Sequence, residues 1–211
     1  MELPASLPQR LSLLAYDTRR RRLRGRTQLG HLLRAAALTD LLLRGLVADD
    51  RGKVVTGRPA DPLDDPVLGA VLRQVAESRP RSWSHWVRSG QRPLRRAVRE
   101  QLEEGGWIQV EQRRVLGIFP ASRIAVRDTR VLRRLAAIVG RTLGAGLPAA
   151  RVDPADAALV ALAAAGELST AVSRRQRREH RQRIASLGER AGPAVPALRK
   201  VLQQLRASAA S

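Results

Sequence analysis

Apolar residues recur along this chain mostly at helical spacing, with two stretches where they alternate instead, and that pattern predicts its elements. Residues 7–16 place Leu11, Leu13 and Leu14 in a short first helix. The arginine block RRRRLRGR, residues 19–26, interrupts the pattern and reads as a loop. Residues 28–44, QLGHLLRAAALTDLLLR, are apolar on nearly every side of a helical wheel, the mark of a helix enclosed by others. Gly45 ends this central helix, as glycine commonly does just past a terminus.

Two β-prone runs surround a polar turn in residues 46–57, LVADDRGKVVTG, and predict a small hairpin. Asp65 before Pro66 is an N-cap with proline at the first helical position, opening a helix to about Glu77. Ser82 caps a short helix with Trp83 and Trp86, and the arginine-rich helix of residues 92–108, RPLRRAVREQLEEGGWI, follows, closed by Gly105 and Gly106. Residues 107–126 alternate, turn and alternate again, as a second hairpin does. Further helices are expected over residues 129–143, from Asp153-Pro154 to 168, over 170–187 and over 193–206. No internal repeat or sustained heptad is visible. The expected class is mainly α: one domain over residues 1–211, compact around a buried central helix, with two peripheral β-hairpins.

Charge changes this picture. The 211 residues carry 39 basic and 19 acidic side chains, a formal charge of +20, and the pI is near 11.9. An anionic partner is implied. Lys53 and Lys200 are the only lysines, so 37 of the basic residues are arginine; a GC-rich genome produces that bias without selection for binding, and position matters more than number. Cysteine is absent, which removes disulfides, thiolate metal sites and cysteine nucleophiles and fits a reducing cytoplasm. The first residues, MELPASLPQR, lack the basic start and apolar core of a signal peptide. The longest apolar run, residues 157–166, is about half a bilayer span.

Little points to catalysis. His31, His85 and His180 are isolated, and there is no HExxH, nucleophile elbow or phosphate-binding glycine loop. His31 is expected in the core or at its boundary. Asp61, Asp64 and Asp65 are explained by a turn and an N-cap, without a metal. No enzyme activity, cofactor or metal is expected.

Arginine placement is more informative. On a 100° wheel Arg92, Arg95, Arg96 and Arg99 share one arc, opposite Leu94, Ala97, Val98 and Leu102. Arg34 sits among Leu32, Leu33, Ala35, Ala36 and Ala37, in a helix otherwise fit for burial. Asp40, six residues on, is too far along the helix to pair with it. Its charge therefore meets a carboxylate from another element, an external anion, or water where the helix reaches the surface.

The segments LSLLAYD, LLRAAALTDLLLRGLV, DPLDDPVLGAVLRQV, SHWV, RPLRRAVREQLEEGGWI and RRVLGIFP, in this order and at these distances, resemble the Golgi phosphoprotein 3 family over residues 7–168. The resemblance implies a non-catalytic peripheral protein on the cytoplasmic membrane face, binding phosphatidylinositol 4-phosphate or a related anionic phospholipid. It carries the lipid-phosphate site onto Arg34, Arg92 and Arg95. The family's pocket tryptophan falls on Gly25, so no aromatic wall is expected there, and Arg24 or Arg26 is the possible auxiliary charge. The family's apolar hairpin corresponds to Leu116, Ile118 and Phe119, implying membrane insertion or self-association. Arginine bias, alanine richness and a short amino terminus fit a bacterial member. Two other readings stay open: a nucleic-acid-binding protein using the basic helix and a hairpin wing, and a structural adaptor. The basic run SRRQRREHRQR, residues 173–183, is expected to be a solvated helix face.

Overall fold

A computed structural model describes residues 3–17, 22–23, 26–58, 63–115, 119–144 and 146–210. Helix α1 (Leu7–Leu14) is followed by a two-residue antiparallel pair, β1 (Tyr16–Asp17) and β2 (Arg22–Leu23), and by the long helix α2 (Arg26–Leu43). Strands β3 (Val47–Asp50) and β4 (Lys53–Thr56) form the first predicted hairpin. Then come α3 (Pro66–Ala76), β5 (Arg81–Ser82), α4 (Trp83–Arg88) and α5 (Gln91–Glu104). The second predicted hairpin, β6 (Ile108–Val115) with β7 (Phe119–Val126), pairs Ile108 with Val126 and Val115 with Phe119. Helices α6 (Thr129–Leu143), α7 (Pro154–Ala165), α8 (Arg174–Glu179), α9 (Arg181–Ala191) and α10 (Ala194–Ala210) complete the described chain. The fold is mainly α with small hairpins.

Local chemistry sets the helix starts. Asp65 Oδ1 accepts from the backbone N–H groups of Val67 and Leu68, each at 2.9 Å, and Asp153 Oδ1 caps α7 in the same way. Ser82 Oγ accepts from His85 N–H at 3.2 Å. Each cap satisfies donors that the first helical turn leaves open.

Two helices, not one, are enclosed. In α2 every side chain from Leu29 to Leu41 is buried, and in α7 the same holds from Ala157 to Ala165. Alanines let neighbouring helices approach both. Asp40, 6 % exposed, ties α2 to α1: its Oδ2 accepts from Leu7 N–H at 2.7 Å and its Oδ1 from Arg44 Nε–H at 2.7 Å. His31 is a core residue, with Nδ1 3.1 Å from the Val87 carbonyl.

Five expectations need correction. Part of the arginine block pairs as a strand, because Leu23 takes register opposite Tyr16, and α2 starts two residues earlier than expected, at Arg26. The first hairpin gains a third strand, β5, beside β4. Helix α7 stops at Ala165, where Gly166 caps it and Glu167 takes a left-handed conformation, φ 51°. The helix expected over residues 170–187 is two helices with a break at His180, φ −103° and ψ 26°. The first of these buries nothing, whereas α9 buries Ile184, Leu187, Gly188 and Ala191. The change of direction lets that apolar face pack on α7.

Candidate functional site

Arg34 is 1 % exposed, among the largest fully buried side chains. Its guanidinium is held by neutral groups. Nε–H donates to the Trp86 carbonyl at 3.1 Å, Nη2 donates to Gln74 Oε1 at 2.8 Å, and the carbon between them lies 5.6 Å from the Trp86 ring centroid. Among the described residues no carboxylate pairs with it. Burial lowers its pKa to about 10, which still leaves it charged at neutral pH. Two of its five N–H donors are taken by these bonds, which leaves a desolvated cation with donors that an anion could use.

The other nitrogen, Nη1, faces the start of α5. A Cβ placed on Gly90 would lie 3.6 Å from it. Gly90 is the N-cap of α5, with φ 67° and no side chain to satisfy the exposed N–H groups of the first turn. Two positive ends, a guanidinium and a helix N-terminus, thus meet at Gly90, with Glu100 and Glu104 further along α5 in the wall of the same cavity. Gly30 brings them together: a Cβ there would stand 3.0 Å from Gln91 Cβ and 3.1 Å from the Gln91 carbonyl oxygen. Only a glycine at this point of α2 lets α5 approach so closely, one turn ahead of Arg34.

Arg92 lies in that first turn of α5 and Arg95 opens the second, Arg92 exposed and Arg95 half-buried. They share the flank of the helix that also carries Arg99. The opposite flank closes a cavity of about 360 Å³ against α3, with Val67, Val71, Pro93 and Ala97 in its wall and Arg34 reaching it from α2. Arg92 and Arg95 take no part in lining that cavity, so the arginine flank and the cavity flank are two separate faces meeting at the Gly90 end. Arg96, further round, is paired with Glu100 at 2.7 Å.

Arg26 opens α2, and Arg24, like Gly25, lies outside the described residues. Leu116 and Ile118 also lie outside them; Phe119 begins β7 opposite Val115. The base of that hairpin is anchored by buried Ile108 and by Val110, Ile124 and Val126 packed on the core.

Sequence reading missed Gln74, Trp86 and Gly90, which act on Arg34 from other elements, and Gly30, which lies one turn ahead of it in α2. SHWV was noticed as a segment, but nothing in it signals that the Trp86 backbone and ring would hold a guanidinium. The ring is itself 4 % exposed, so it clamps Arg34 rather than forming an open aromatic wall.

Among the described residues no helix is long and apolar enough to cross a membrane, and no group of three side chains could hold a metal ion. No curated protein matches the chain. The family model of Golgi phosphoprotein 3 (GPP34) matches residues 7–205, from the first residue of α1 into α10 and well past residue 168, where the segment-by-segment resemblance ends. The chain belongs to the Golgi phosphoprotein 3 (GPP34) family.

Proposed function

We propose that the protein is a peripheral membrane protein that recognises a phosphorylated lipid headgroup, phosphatidylinositol 4-phosphate or a close relative, at Arg34 and the start of α5, with no covalent chemistry. The observation that carries this reading is the Arg34 guanidinium: buried, charged, neutrally held and aimed at an uncapped helix N-terminus. A phosphate there neutralises both positive ends and accepts the donors that protein groups leave unused.

Arg92 and Arg95 bring further charge to the same end of α5, and Arg24 and Arg26 are placed by sequence to add more. Each arginine near an anionic leaflet contributes on the order of 1 kcal/mol. Leu116, Ile118 and Phe119, by the family resemblance, are the apolar residues that enter the bilayer or meet a second copy of the chain. On this reading the protein works at the cytoplasmic membrane face.

The test is liposome co-sedimentation at physiological salt, comparing phosphatidylinositol 4-phosphate with phosphatidylserine at matched surface charge and with duplex DNA as competitor. The expected result is a preference for the phosphoinositide that DNA does not abolish. Arg92→Ala with Arg95→Ala lowers that binding more than Arg174→Ala with Arg178→Ala, which removes equal charge from the C-terminal run. Equal losses, or binding to both lipids that DNA displaces, would make the protein a generic polyanion binder.

A further inference from the structure

A second convergence of arginines lies in the C-terminal third of the chain. Arg177, Arg181, Arg199 and Arg206 wall a cleft of about 540 Å³ where the end of α7, the corner between α8 and α9, and α10 meet. Its floor is apolar, with Ile184 and Leu202. This volume is in the usual range for small-molecule sites, roughly 300–1,000 Å³.

The electrostatics of the cleft are unbalanced. Its single acid, Glu167, is taken by Arg206 at 2.6 Å. Arg177 Nη1 donates to the Val172 carbonyl at 2.6 Å, a neutral partner. The side chains of Arg181 and Arg199 are exposed and make no hydrogen bond or ion pair with any described residue. Guanidiniums gathered over a low-dielectric floor repel one another until an anion lies between them. Glu167 reaches Arg206 from a left-handed backbone, φ 51°, a conformation rare for residues with a side chain. It is one carboxylate set against four cations.

We propose that this cleft binds a small phosphorylated ligand with at least two negative charges and an apolar or planar body, and that Glu167 yields Arg206 to it. The phosphates engage Arg181, Arg199 and Arg206, and the body of the ligand rests on Ile184 and Leu202. Either a soluble phosphorylated compound or a lipid headgroup carries this chemistry. The site is separate from Arg34 and does not depend on it.

Calorimetric titration of the full chain at physiological salt with inorganic tripolyphosphate and with ATP tests the soluble source. Phosphatidylcholine vesicles containing phosphatidic acid test the lipid source. In whichever arm binds, Arg181→Ala with Arg199→Ala weakens binding at least about tenfold, the loss expected for charged hydrogen bonds. Arg174→Ala with Arg178→Ala, exposed positions outside the cleft, changes it less than about twofold by the same scale. Glu167→Gln tightens binding while Glu77→Gln, an equal charge change elsewhere, does not. The fold-changes caused by the Arg181/Arg199 and Glu167 variants are the same in an Arg34→Met background, so failure here and failure of the phosphoinositide site are distinguishable. No binding in either arm, equal losses in the two arginine pairs, or equal effects of the two glutamate variants would overturn the proposal.

Discussion

Arg34 and the arginines of α8 are the same residue type in opposite surroundings. Arg34 is enclosed in α2 and held by an amide, a carbonyl and an indole. Arg175, in contrast, is fully exposed and paired one turn along with Glu179 at 2.6 Å. Both contribute equally to a net charge of +20. They differ in what removing them should do. An exposed guanidinium gives up little hydration and gains little from a nearby carboxylate. A buried one loses its water at a cost of several kcal/mol, which the fold carries to keep a cation in place.

The sharpest way to break the contrast is Arg34→Met. Loss of phosphoinositide binding on the order of tenfold or more is expected, because charge-assisted bonds are removed. Adding Gln74→Leu removes the partner that would otherwise be left unsatisfied, so the double variant should melt within a few degrees of the parent while still failing to bind. Differential scanning calorimetry with co-sedimentation decides this. If the double variant binds normally, Arg34 is structural only. The pH dependence has a definite sign. Burial lowers the Arg34 pKa from the ordinary arginine range to about 10 on folding, so its charged form weighs against folding at neutral pH and that penalty lifts as pH rises above about 10. Anion binding should therefore hold through neutral pH and weaken as pH passes about 10, in a step absent from Arg34→Met.

Gly30→Val should have a smaller effect on binding but a visible one on stability. The added methyls press on Gln91 and move the start of α5 away from Arg34, at an overpacking cost of about 1–3 kcal/mol. Chemical denaturation measures the stability change, and co-sedimentation should show weaker phosphoinositide binding with phosphatidylserine binding preserved. Unchanged binding would mean that the approach of α5 to Arg34 is incidental. Smallest of all is Arg96→Ala, on the exposed flank of α5 and paired with Glu100. No measurable change in melting temperature is expected.

Much of the fold was legible because it is written in local signals. The α6 boundaries fall where the periodicity puts them, and Asp65, Ser82 and Asp153 cap the helices they were expected to cap. Illegible features depend on distant partners. The Arg34 clamp joins residues 40 and 52 positions apart in the chain, and no local pattern marks Gln74 or the Trp86 carbonyl as its holders. Burial of Arg34 could be inferred from its apolar neighbours, whereas neutral holding could not. The break at His180 is similar: a run of arginines is helical by propensity, and only the need to seat Ile184 and Leu187 on α7 explains why it turns. The resemblance placed Arg92 and Arg95 beside Arg34. The structure adds that they occupy a different flank of α5 from the cavity that Arg34 reaches.

The enclosure of α2 has a consequence for how binding would be detected. A helix with solvent on no side opens only when much of the molecule opens, so its amides should be among the slowest to exchange with deuterium. A ligand held by Arg34 is attached to that slow-exchanging segment. It should raise the melting temperature of the whole fold in proportion to its occupancy, and it should slow exchange in α2 and in α5 together.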